Sequence, residues 1–97
     1  MKTGTKLDQN KLDHWLVPVK PMNEVIRVLM FGANKYAPDN WQKISDPKQR
    51  YFNACLRHVN QWRDGEIHDK ESGRHHLAHA VSCLLFVLWF ELRGEGK

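Results

Sequence analysis

The chain has 97 residues, 41% of them hydrophobic, and a formal charge of +4 from 15 Lys and Arg against 11 Asp and Glu. That length holds a single domain, residues 1–97, with a modest core, and no Lys/Arg stripe marks a general nucleic-acid binder. The longest uncharged apolar run, Ala80 to Phe90, has eleven residues against the roughly 20 that span a bilayer, and the first ten residues are polar, so a cytoplasmic protein with no membrane partner is expected.

Residues 1–20 read as an extended arm, its lysines (Lys6, Lys11, Lys20) solvated and its Trp15 docked on the body. Pro18 and Pro21 interrupt any helix through it. Pro21 suits the first position of a helix, where its missing N–H costs nothing. Val25, Val28, Leu29 and Phe31 then recur at spacings of three and four, which predicts a first helix over 22–34. Gly32 inside it costs about 1 kcal/mol relative to Ala, a cost that predicts close approach by a neighbouring helix or a ligand.

Residues 36–45 carry a P-D-N turn signal and read as a loop. Asp46 as cap and Pro47 in the first turn start a second helix, which runs to about Asp64 and stops at Gly65 in a left-handed position. Its apolar face carries Tyr51, Ala54, Cys55, Val59 and Trp62, with His58 beside it. Cys55 and Cys83 read as small buried thiols. Ser72 or Asp69 caps a third helix that runs to about Leu92 and ends at Gly94. It is apolar nearly all round, hence buried, and two short helices cannot cover every side of it. A second copy of the chain is expected to cover the rest. The fold class expected is all-α: three main helices and an extended N-terminal arm, assembled as an oligomeric helical bundle.

Between the second and third helices the chain gathers Glu66, Asp69 and Glu71 with His68, His75, His76 and His79. Carboxylates and imidazoles bind divalent cations and move protons at neutral pH. His76 and His79, three apart, share a helical face, where carboxylates of the turn could meet them. A mixed site of this kind suits Mn²⁺, Fe²⁺, Co²⁺, Ni²⁺ or Zn²⁺, whereas an all-oxygen site favours Mg²⁺. The start of the third helix, with Ser72, Gly73 and Arg74, offers N–H groups to a phosphate, and Lys35, Arg57 and Arg74 are the cations to place near it. Tyr36 and Trp41 could stack on a base, worth about 1–3 kcal/mol each. Residues 1–57 carry ten Lys and Arg against five Asp and Glu, while residues 58–97 carry five against six together with five of the six His. A basic half facing an acid- and His-rich half suits an anion held beside a metal.

Three blocks, K-L-D-Q-N-K-L-D-H-W-L-V-P, E-V-I-R-V-L-M-F-G-A-N-K-Y-A-P-D-N-W and R-H-V-N-Q-W-R-D-G-E-I-H-D-K-E-S-G-R-H-H-L-A-H-A, resemble a phage-rich family over residues 6–92 or so. It is the N-terminal domain of the dATP/dGTP diphosphohydrolases, helical proteins similar to MazG-type nucleotide pyrophosphohydrolases. The resemblance implies cleavage of a deoxypurine triphosphate to monophosphate and pyrophosphate with a divalent metal, Mg²⁺, Mn²⁺ or another transition ion, in the host cytoplasm if phage-encoded. The implied positions here are Lys35, Tyr36, Asn40, Trp41, Arg57, His58, Glu66, Asp69, Glu71, Ser72, His76 and His79. On this reading Glu66, Asp69, Glu71, His76 and His79 hold metal, His58 or Glu71 serves catalysis, and Lys35, Tyr36, Asn40, Trp41, Arg57, Ser72 and Arg74 bind the nucleotide. MazG-type enzymes place E-x-x-E on one helix and E-x-x-D on the next; here the second helix has no E-x-x-E and the third begins with histidines. Either the metal site is rebuilt from His and acid, or the fold binds nucleotides without cutting them, as a sponge that sequesters a signalling nucleotide.

Overall fold

The computed structural model describes residues 9–95. The first eight residues of the expected arm, Lys6 among them, lie outside the described residues. The chain is all-α. Helices α1 (Val19–Lys35), α2 (Pro47–Arg63) and α3 (His76–Glu95) follow in order, with one-turn 3₁₀ segments at His14–Leu16, ahead of α1, and at Asn40–Lys43, between α1 and α2. Among the described residues the only strand-like pairing is an isolated antiparallel bridge between His68 and His75.

Helix α1 starts three residues before the expected Met22. Pro21 falls in the first turn, where no N–H has an intrahelical partner, so proline is tolerated beyond the first position. Val25 and Val28 are buried against Ala78 of α3, with Met22 and Leu29 packed alongside. The close approach expected at Gly32 is absent: a Cβ there would meet nothing within 4 Å.

Helix α2 begins at Pro47 as expected, but Asp46 does not cap it. Asp46 sits in the left-handed region at φ 48° and its side chain makes no capping bond. Gly65 ends the segment at φ 107°, a backbone state that favours glycine. Cys55 packs with Ala80 and Cys83 of α3, and Tyr51, Ala54 and Val59 close around them. Both thiols are free and buried, and burial pushes Cys83 up to about 11.

Helix α3 is central, since α1 and α2 each pack chiefly against it. It presents small residues to them (Ala78, Ala80, Ser82 and Cys83 are all buried), which lets three backbones come close. Trp41 fastens the 36–45 segment to its far end: the indole stacks on Phe86 at 4.4 Å and meets Trp89 edge-on at 4.8 Å, while the Tyr51 hydroxyl donates to the Trp41 carbonyl at 3.0 Å.

This core is thin. The buried apolar residues are Val25, Val28, Cys55, Ala78, Ala80 and Cys83. The radius of gyration is 16.2 Å, against about 13 Å for a compact chain of this size. Leu77, Val81, Leu84, Leu85, Leu88 and Leu92 stay exposed along α3. By length and composition alone, His76–Gly94 is apolar enough to cross a membrane, with mean hydropathy 1.4 and 22% of the window buried. The expected docking of Trp15 does not occur among the described residues: Trp15 is 92% exposed, and residues 9–21 are exposed throughout.

Candidate functional site

The turn between α2 and α3 doubles back on itself. Asp69 N–H donates to the Arg74 carbonyl at 2.8 Å, Gly73 N–H to the Asp69 carbonyl at 2.8 Å, and His76 N–H to the Ile67 carbonyl at 2.9 Å. The Asp69 carboxylate accepts from Ser72 N–H at 2.8 Å, and the Ser72 hydroxyl accepts from Arg74 N–H at 3.1 Å. Ser72 and Asp69 therefore fold the turn and do not cap α3, which begins at His76. The capping group is His75, whose Nδ1 accepts from Leu77 N–H at 3.0 Å and whose carbonyl accepts from Ala78 and His79. The expectation of free N–H groups for a phosphate at this helix start is thereby overturned: His76, Leu77, Ala78 and His79 are all engaged.

The doubled turn delivers Glu66 and Asp69 to histidines from two helices. His76 is completely buried. Its Nε2 lies 2.8 Å from Glu66 Oε2, and its Nδ1 lies 2.8 Å from Nδ1 of His58 on α2. A carboxylate only accepts, so Nε2 of His76 carries a proton, and its Nδ1 then accepts from His58 Nδ1–H. The His58 ring stacks on His79 at 4.4 Å and 12°. His79 Nε2 is 2.6 Å from the Ser72 hydroxyl. His58, Asp69 and His76 offer ligand atoms that all lie within 4.8 Å of one another.

Burial, with His79 and His76 beside it, pushes His58 down to about 4. Burial also lowers His79 despite the nearby Asp69. Burial alone would raise Asp69, but hydrogen bonding from Ser72 holds it below the usual carboxylate range. At pH 7 His58 and His79 are thus neutral and Asp69 is ionised, the protonation states a divalent cation requires of its ligands. Ser72, His79 and Asp69 do not form a hydrolytic triad. Asp69 Oδ2 stands 3.8 Å from the same Nε2 that faces the serine, whereas a triad needs the acid on Nδ1.

The other expected residues scatter. Glu66 lies behind His76 and outside the converging three. Glu71 is exposed and paired with Lys35, whose Nζ sits 5.1 Å from the Tyr36 ring. Trp41, expected to stack on a base, is stacked on Phe86. Asn40 opens the 3₁₀ turn, half-buried. Arg57 is exposed beside His58 and forms no ion pair among the described residues. Arg74 reaches Glu24 at 3.8 Å, and Glu24 also pairs with Arg27 at 2.7 Å.

An open groove of about 560 Å³ runs between α1 and the turn, lined by Arg27, Met30, Phe31, Asn34, Ser72 and Arg74. Ser72 belongs to both groove and cluster. The sequence reading passed over the α1 side of this groove, although positions 27, 30, 31 and 34 are themselves one helical face by their spacing.

A family model described as dATP/dGTP diphosphohydrolase, N-terminal, matches residues 1–97. A dATP/dGTP diphosphohydrolase of Salmonella phage PMBT28 is 41% identical over 87 residues, which cover 90% of this chain and 29% of that protein. The chain thus spans under a third of the relative's length. No solved structure matches.

Proposed function

The chain belongs to the family of dATP/dGTP diphosphohydrolase N-terminal domains, and from that premise we propose that it hydrolyses a deoxypurine triphosphate, dATP or dGTP, to monophosphate and pyrophosphate with a divalent metal. The observation that supports this best is the convergence of His58, Asp69 and His76 beside an open groove whose Ser72 donates its N–H to Asp69. Those three residues would hold the cation, which when bound neutralises phosphate charge and lowers the pKa of water. Arg27 and Arg74 line the groove and can meet phosphate oxygens bidentately, while Lys35 would first have to leave Glu71. Water adds at the α-phosphorus as the bond to the bridging oxygen breaks, and pyrophosphate leaves with that oxygen. A His58 that holds metal cannot also take the proton from water, and Glu71 is turned towards Lys35. His79, neutral at pH 7 and outside the converging three, is the base this arrangement supports. The active form is a homo-oligomer, with the exposed side of α3 between copies.

One observation favours a second reading, a non-catalytic nucleotide binder: among the described residues no four carboxylates converge. Incubation with a panel of nucleotides plus Mg²⁺, Mn²⁺ or Zn²⁺, followed by chromatography, separates the two. New monophosphate and pyrophosphate support the hydrolase; a nucleotide retained intact and recovered on denaturing the protein supports the binder and overturns the hydrolase.

A further inference from the structure

We infer that the cluster is a transition-metal centre with His58 Nδ1, His76 Nδ1 and an Asp69 carboxylate oxygen as ligands, that Glu66 is a positioning residue behind His76, and that the ion is Zn²⁺, Co²⁺ or Fe²⁺ and not Mg²⁺. This rests on the reading above only in placing the ion where the phosphates of a nucleotide would reach it.

The first argument is distance. Two imidazole nitrogens at about 2.1 Å from one ion stand about 3.0 Å apart at right angles and about 3.4 Å apart at the tetrahedral angle. His58 Nδ1 and His76 Nδ1 are 2.8 Å apart, so an ion on their open side needs only a slight parting of two rings. His58, Asp69 and His76 each offer a ligand atom within 4.8 Å of the others, against about 3.4 Å between ligands of a tetrahedral ion, so Asp69 has at most about 1.4 Å to close, within reach of a side-chain adjustment.

The second argument is the far side of His76. A metal-bound histidine characteristically donates its other ring N–H to a carboxylate, which fixes the tautomer and leaves the lone pair aimed at the ion. Glu66 holds Nε2 of a fully buried ring in that way, at 2.8 Å. The ligands also come from three separate elements, α2, α3 and the turn, so the site is assembled by the fold and is not an accident of helical spacing.

A hydrogen-bonded imidazole pair alone would account for His58 and His76 but not for Asp69. Its carboxylate converges on the pair while it accepts from Ser72. An ion explains all three. It replaces the proton held between the two Nδ1 atoms, and His58 keeps its neutrality by carrying that proton on Nε2 instead. Asp69 and Glu66 together supply two carboxylates against a dication. Two imidazoles and one carboxylate are a poor match for Mg²⁺, which demands oxygen ligands and keeps most of its water, and a good one for nitrogen-preferring first-row ions.

Metal-free protein prepared with a chelator is titrated calorimetrically with Zn²⁺, Co²⁺ and Mg²⁺, and the Co²⁺ titration is followed by visible absorbance. One Zn²⁺ per chain is expected, bound at least on the order of a hundredfold more tightly than Mg²⁺, and Zn²⁺ should bleach the Co²⁺ band. Asp69→Asn keeps an acceptor for Ser72 N–H and hence the turn; it should weaken Zn²⁺ by tenfold or more, on the order of a lost ligand. Glu66→Gln, with the ligands intact, should weaken it by about 10–100-fold. Neither variant truncates the buried His76 ring, so both answer even if His76→Ala fails to fold. Mg²⁺ bound as tightly as Zn²⁺, or a folded Asp69→Asn with unchanged Zn²⁺ affinity, overturns the inference. Tight Zn²⁺ binding without nucleotide turnover leaves it standing and overturns the hydrolase. Turnover of dGTP with Mg²⁺ by a protein indifferent to Zn²⁺ does the reverse.

Discussion

His58 carries two consequences of its position between His76 and His79. Its Nδ1 meets Nδ1 of His76, and it resists protonation. In chelated, metal-free protein it stays neutral down to about 4, whereas in the unfolded chain an ordinary histidine gains its proton near about pH 6.5. Between those values the unfolded state binds more protons, so this stabilising contribution is fully present above about pH 6.5 and is lost as the pH falls towards the folded value. His79, lowered by burial, acts in the same direction. The melting temperature of metal-free protein should therefore drop steadily between those limits, and His58→Gln should flatten the drop; a profile already flat in the parent chain contradicts the burial argument. The sequence showed part of this site. Asp69, His76 and His79 were readable from acid and imidazole density within one turn. His58 stands 18 positions from His76, and a pairing between helices leaves no local signal. The role of Glu66 depended on the bridge between His68 and His75, which turns residues 66 and 67 back towards 76 and which helical periodicity does not encode.

Helix interiors were legible because apolar spacing reports the packed face directly, as Val25, Val28, Cys55 and Val59 show. Helix starts were less so. Pro21, Asp46 and Ser72 are residues that suit a cap or a first turn: Pro21 sits two positions into α1, Asp46 holds the cap position of α2 without a side-chain bond, and Ser72 serves in turn hydrogen bonds. Two glycines give opposite tests. Gly32→Ala, in a helix with space for a Cβ, should stabilise by about 1 kcal/mol, whereas Gly65→Ala, at φ 107°, should cost about 1–2 kcal/mol. Denaturant unfolding of the two variants measures both, and equal shifts would contradict the backbone assignment. The exposed side of α3 gives another. Leu77, Val81, Leu84 and Leu88 recur at spacings of four, three and four, the seam of a helix that packs on another copy, and burying each is worth about 1.5–3 kcal/mol. Light scattering without detergent should report a multiple of 11.4 kDa, and Leu84→Lys with Leu88→Lys should return the monomer. A monodisperse parent monomer contradicts the seam.

At the scale of the whole molecule, the extended shape and the thin core belong together: α1 and α2 brace α3 on two sides and leave a third side bare. What that scaffold holds steady is the junction of α2, the doubled turn and the first turn of α3, where His58, Asp69 and His76 meet beside the groove bounded by Arg27 and Arg74. Arg27 of α1 and Arg74 of the turn line that groove, and the three converging side chains reach the junction from α2, the turn and α3. We propose that these parts act together on the α-phosphorus of a deoxypurine triphosphate. The measurement that tests it most directly is incubation of dGTP with the protein and a divalent cation in heavy-oxygen water, with the products read by mass spectrometry. The label should appear in the monophosphate and not in the pyrophosphate, and Asp69→Asn should abolish its incorporation. Intact dGTP, or label found in the pyrophosphate, would contradict the account.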